Sequence, residues 1–142
     1  MIKVVYWTGS GNTEEMANAV AEGITEAGGE AQVADFDSVS VDDVKNDAVI
    51  AFGCPAMGDE VLEEGTVEPF IEEYEAYAAG KTVGLFGSYG WGDGQWMRDW
   101  VERMEGAGAS VLGGEDAIAN EAPDDEAIEA CKDLGKALAA EA

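Results

Sequence analysis

The sequence predicts a single α/β domain built on a mostly parallel sheet with helices on both faces. Three observations lead there: strand-like and helix-like periods alternate along all 142 residues, the strongest strand is apolar without alternation, and no stretch is repetitive, low-complexity or linker-like. With 46% hydrophobic and 27% charged residues the composition is that of a globular chain with one core, spanning 1–142.

Ile2 to Trp7 is an apolar, β-branched run, and after Thr8-Gly9-Ser10-Gly11-Asn12-Thr13 the period changes from strand to helix. In that helix Met16, Val20, Ile24 and Ala27 recur at helical spacing. Glu14 and Glu15 occupy its first turn, where the dipole favours carboxylates, and Gly28-Gly29 ends it. Ala31 to Phe36 reads as a weaker strand. Asp47 to Gly53 reads as a stronger one, ending at Cys54, whose continuous apolar run suits burial on both faces. A loop from Pro55 to Gly65 leads to a helix on which Val67, Phe70, Ile71 and Tyr74 share one face, closed by Gly80. Thr82 to Ser88 is the fourth strand, and Trp96, Met97, Trp100, Val101 and Met104 mark another amphipathic helix. Ser110 to Leu112 begins a short fifth strand, resumed at Ala117 to Ala119. From Asp124 the spacing of Ala127, Ile128, Cys131, Leu134 and Leu138 gives a terminal helix. Right-handed crossovers return each helix over such a sheet.

Charge and residue usage narrow the function. Against 31 acidic residues stand 7 basic ones, a net charge of -24 that repels nucleic acid and anionic membranes and favours basic protein surfaces as partners. Solubility, including in a salty cytoplasm, accounts for the same charge. The chain has no histidine, which removes Ser-His-Asp and Cys-His catalysis and every histidine-containing metal site. Cys54 and Cys131 form no CxxC pair and read as free thiols. The amino terminus does not resemble a secretory leader, and the longest nearly uncharged stretch, 48–58, is too short to span a bilayer. A cytoplasmic protein is expected.

Ligands of open parallel sheets bind at the carboxyl ends of the strands, where the loops after strands one, three and four have unusual composition. Thr8 to Thr13 offers hydroxyls, an amide and unobstructed N–H groups at a helix amino terminus, a ready anion site. No Lys or Arg occurs between Lys3 and Lys45, so a phosphate there is recognised without a local cation. The lysine of a P-loop is missing, and Glu14 stands where GxGxxG requires its third glycine, which disfavours ATP and dinucleotides. Small polar residues also serve simply to turn the chain. The second loop, Cys54-Pro55-Ala56-Met57-Gly58-Asp59-Glu60, sets a thioether and a glycine beside two carboxylates. In the third, Ser88-Tyr89-Gly90-Trp91-Gly92-Asp93-Gly94, aromatics among glycines favour a flat ligand stacked against them. Core filling by Met57 and a packed loop anchor at Trp91 are the alternatives.

Together these loops resemble the short-chain flavodoxins of anaerobic bacteria, over essentially the whole chain. Thr8-x-Ser10-Gly11-Asn12-Thr13 is similar to that family's phosphate loop, and Ala56 to Glu60 with Gly87 to Gly92 to its two isoalloxazine loops. The chain also lacks the long insertion in the fifth strand of the long-chain branch. The resemblance implies a three-layer sandwich with a five-stranded parallel sheet of order 2-1-3-4-5 and flavin mononucleotide (FMN) as cofactor. It implies a low-potential one-electron carrier moving between oxidised, neutral semiquinone and anionic hydroquinone states. By the same resemblance Thr8, Ser10, Asn12 and Thr13, with the backbone of Gly9 and Gly11, hold the phosphate, with Trp7 close by. Met57 packs on the inner face of the ring and Trp91 covers the outer face. Glu60 accepts from N3–H, backbone around Gly90 serves the pyrimidine oxygen, the Gly58-Asp59 peptide faces N5, and Asn120 lies near the ribityl chain. Pro55 stands where some relatives carry a serine on the phosphate, and proline has neither hydroxyl nor N–H to offer.

On this reading glycine at position 58 lets the peptide rotate toward N5, and Asp59, Glu60 and Asp93 oppose the negative charge of the second electron. Partners are redox proteins with basic docking surfaces, such as reductases and ferredoxin-linked enzymes, and the protein is a monomer. An FMN-dependent reductase or a dedicated activator of one enzyme would carry the same loops. A phosphoryl-accepting receiver domain shares the sheet, but Gly53-Cys54 and Trp7-Thr8 occupy the places where it needs acidic residues. A flavin-free structural module would lack colour.

Overall fold

The computed structural model describes residues 1–142 except Asp59 and Trp91. Its elements run β1 (Ile2–Tyr6), α1 (Asn12–Glu26), β2 (Ala31–Asp35), α2 (Val41–Val44), β3 (Val49–Gly53) and α3 (Val67–Tyr74). Then follow β4 (Thr82–Tyr89), α4 (Gln95–Gly106), β5 (Ser110–Leu112), β6 (Ile118–Asn120) and α5 (Asp125–Glu141). All strand pairs are parallel, in the order β2-β1-β3-β4-β5 with β6 also on β4. Among the described residues no helix is long and apolar enough to cross a membrane.

Successive residues of each central strand face opposite sides of the sheet, so two cores form. Val5, Ile50, Phe52, Val83 and Leu85 face one layer, where Phe70, Ile71 and Tyr74 of α3 meet Trp96, Trp100 and Met104 of α4. Val4, Ala51 and Phe86 face the other, where Met16, Val20 and Ile24 of α1 meet Cys131, Leu134 and Leu138 of α5. This is why β3 lacks polar alternation: all five of its residues are buried. β2 is an edge strand, half exposed, which explains its weaker signal in the sequence.

The fifth strand is interrupted, as the sequence indicated, and forms two segments. Ser110–Leu112 pairs with Thr82–Gly84 and Ile118–Asn120 with Gly87–Tyr89, so the fifth position is filled by two short segments along the eight-residue β4. Residues 113–117 loop out between them through Gly113 (φ 74°) and Gly114 (φ 53°), beside a crevice of about 270 Å³ lined by Leu85, Leu112 and Leu134. The crossover from β2 to β3 is more irregular than the sequence indicated. It contains the short α2, whose Ser40 and Asp43 form a reciprocal capping box. Cys54 and Cys131 are buried free thiols, and burial pushes both up to about 12.

Candidate functional site at the carboxyl edge of the sheet

Parallel pairing brings the three loops to one edge and backbone bonds lock them there. Trp7 N–H donates to Gly53 O (3.0 Å) and Ala56 N–H to Ser88 O (2.9 Å). Glu121 N–H (2.6 Å) and Asn120 Nδ2 (3.2 Å) both donate to Tyr89 O. The chain runs from β1 to β2 on one side and later to β3 on the other, so the loops after β1 and β3 diverge around the switch point where such sheets take ligands.

The first loop ends on Gly11, which caps α1 at φ 95°, a left-handed conformation that costs glycine little. No side chain caps this helix. The first intrahelical bond runs from Glu15 N–H to Gly11 O, and among the described residues the N–H groups of Asn12, Thr13 and Glu14 have no acceptor. Thr8 Oγ1 accepts from Gly11 N–H (2.9 Å), which curls the loop, while Gly9 and Ser10 are exposed. Trp7 is half-buried with its ring against Gly9. Thr13 differs from its neighbours, being 1% exposed and enclosed by the fold. Tyr6 donates its hydroxyl to Glu14 (2.6 Å), and that bond, reinforced by burial, pushes the phenol up to about 12. The carboxylate in the first turn is thereby tied to β1.

The second loop is a tight hairpin. Met57 and Val61 exchange both backbone bonds, 2.9 and 3.1 Å, and the turn between them contains Gly58 at φ 36° and Glu60 at φ 58°. Among the described residues nothing lies within 4 Å of a β-carbon at Gly58, and a side chain there is opposed by backbone strain. Pro55, Ala56 and Met57 are half-buried, and a groove of about 360 Å³ runs beside Met57, Gly58 and Val61. Below the hairpin Cys54 Sγ accepts from Glu63 N–H (3.4 Å).

Glu63 in turn caps α3. Desolvation raises its carboxyl, but the N–H groups of Val67 (3.0 Å), Thr66 (2.7 Å) and Gly65 (2.8 Å) outweigh that and hold it below the usual carboxylate range. A carboxyl lowered by folding stabilises the fold above its unfolded pKa, near 4.3, and loses that contribution as pH falls through the lowered value. Glu63→Ala is expected to cost about 1 kcal/mol at pH 7. The deficit should shrink by pH 3, as urea unfolding at the two pH values would show; a pH-independent deficit would rule this cap out.

In the third loop two side chains have protein partners. Tyr89 is half-buried, its ring centroid 5.5 Å from that of Trp96, whose indole N–H donates to Cys54 O (3.1 Å). Tyr89 is the last residue of β4. Asp93 is not a free charge, since Arg98 Nη2 holds its carboxylate at 2.7 Å and Arg98 also reaches Glu115. Gly90 and Gly92 are exposed and Ser88 is 5% exposed. The roles expected of Asp59 and Trp91 lie outside the described residues.

Two participants had no signal in the sequence. Glu121 stands at φ 61°, a conformation unusual for glutamate, with its side chain toward Gly90. Gln95 donates its N–H to Glu60 Oε1 at 3.0 Å, across 35 positions of chain.

Comparison with known proteins bears on the family and the fold. The family model described as Flavodoxin matches residues 4–135. Flavodoxins of Clostridium beijerinckii and Megasphaera elsdenii are each 49% identical to the chain. They cover 97% and 98% of it, over 99% and 98% of their own lengths. The solution structure of two-electron reduced Megasphaera elsdenii flavodoxin superposes with a TM-score of 0.90 at 48% identity, covering 99% of both chains.

Proposed function

As a member of the flavodoxin family, to which the chain belongs, the protein carries electrons on bound FMN, and we propose that its three carboxyl-edge loops hold that cofactor. The observation that carries this reading is the start of α1. N–H groups without an acceptor among the described residues, the hydroxyls of Thr8 and Ser10 and the Asn12 side chain lie at a helix terminus in a stretch with no Lys or Arg between Lys3 and Lys45, a donor set suited to a phosphate monoester. Thr8 keeps its proton available, because its oxygen accepts from Gly11. Thr13, being enclosed, contributes chiefly through its backbone N–H.

Met57, Glu60 and the backbone at Gly58 and Gly90 would border the ring, and Asn120, exposed at the end of β6, the ribityl chain. Bound FMN supplies two successive one-electron transfers. The chain's part is to hold it, exclude water and set its potentials. Glu60 and the excess of 31 acidic over 7 basic residues disfavour added negative charge, so the second electron is held at lower potential than the first. Asp93 contributes less to this than its position suggested, since Arg98 offsets it.

The same charge selects partners with basic docking surfaces, reductases and ferredoxin-linked enzymes among them, met by a monomer in the cytoplasm. The protein acts as a carrier rather than an enzyme. Loaded with FMN and given NAD(P)H alone, it is expected to show no steady oxidation, whereas an FMN-dependent reductase would turn over. With a basic reductase, electron-transfer rates are expected to fall as ionic strength brings the Debye length below about 10 Å. A rate flat against salt, with circular dichroism confirming the fold throughout, would leave solubility as the purpose of the charge.

A further inference from the structure

Helix α4 begins without provision of its own. Its N-cap is Gly94 at φ 95°, no side chain caps it from within, and its first turn carries no acidic residue. By contrast α1 has Glu14 and Glu15 there, and α5 has Asp125 and Glu126 with Asp124 as cap. The missing carboxylate arrives from the second loop: Glu60 Oε1 accepts from Gln95 N–H, the first amide of the helix, at 3.0 Å.

The surroundings fit that contact. A β-carbon at Gly92 would stand 2.4 Å from the Glu60 carboxyl carbon, so the third loop lies directly against the carboxylate and a side chain there would push it aside. Gly92 is also at φ 85°, which independently favours glycine. Glu60 itself sits at φ 58°, a conformation glutamate adopts at a cost, fixed from both sides by the Met57–Val61 bridge. One oxygen of the carboxylate is committed to α4, and the other has no partner among the described residues.

We propose that Glu60 is a positioning residue that latches the second loop to the start of α4, so that the two loops flanking the ring site are assembled as one unit before any ligand arrives. Oε1 holds α4, and Oε2 is left for an imide N–H donor. The site this latch serves is the flavin site proposed above. The latch itself is a property of the ligand-free chain, where its failure and a failure to bind flavin are separate results.

Amide hydrogen exchange of ligand-free protein, followed by ¹⁵N NMR, tests it with an internal control. Gln95 and Asn12 are both first residues of helices, and only Gln95 has an acceptor for its N–H. Corrected for sequence, Gln95 is expected to exchange at least about tenfold more slowly than Asn12, as one hydrogen bond to a charged group implies. Glu60→Ala should abolish the difference and move the Gln95 amide resonance. Glu60→Gln, which keeps an acceptor but not the charge, should restore part of the protection, a rescue that loss of packing would not produce. Gly92→Ala, which crowds the carboxylate, should act like Glu60→Ala, and unchanged protection of α5 amides would show that each variant is folded. Equal exchange at Gln95 and Asn12 in the parent protein, or full protection retained in Glu60→Ala, overturns the latch.

Discussion

FMN is expected to bind at least about a hundredfold more tightly than riboflavin. Each hydrogen bond to a charged group contributes about 1.5–3 kcal/mol, so two of the donors at the start of α1 suffice for that ratio. These donors are backbone N–H groups and hydroxyls, with no lysine or arginine between Lys3 and Lys45, so the preference comes from geometry and the helix dipole. A site made only of donors favours the dianion. The preference should therefore shrink as pH falls below the second phosphate pKa of about 6. Flavin fluorescence quenching, titrated with both ligands at pH 8 and pH 5, measures this. Equal affinities at pH 8 would remove the phosphate role from Thr8–Thr13.

Gly135→Ala is expected to destabilise the protein by about 1–3 kcal/mol, the range of an overpacked core. Helices α1 and α5 meet backbone to backbone on a pair of glycines. A β-carbon at Gly135 would lie 2.1 Å from Val20 O, and one at Gly23 would lie 2.1 Å from Lys132 O. Neither oxygen can rotate away, so the helices must separate and loosen Val20, Ile24, Leu134 and Leu138 in the core between them. Intrinsic propensity works in the opposite direction, since alanine is preferred to glycine in a helix by up to about 1 kcal/mol. Gly106→Ala is the control: nothing lies within 4 Å of its added carbon at the end of α4, and it should be neutral or stabilising. Urea unfolding of the ligand-free variants separates the two, and a Gly135→Ala protein as stable as the Gly106→Ala one would show that the helices are not in such close contact.

The sequence by itself determined the elements and the edge at which the proposed site lies. Burial on both faces leaves β3 continuously apolar, helical spacing survives in α1, α4 and α5, and glycine with small polar residues marks the first loop. These are local consequences of period and backbone freedom, written where they act. Only the tertiary structure decided which side chains the fold had already engaged. Tyr89 packed beside Trp96 and Asp93 paired with Arg98, Thr13 was enclosed, and Glu60 was brought to Gln95. Each depends on a partner distant in the chain or on the room left by packing. A carboxylate or an aromatic ring has the same letter whether its contact is a ligand, an arginine or a helix end, and the fold makes that choice.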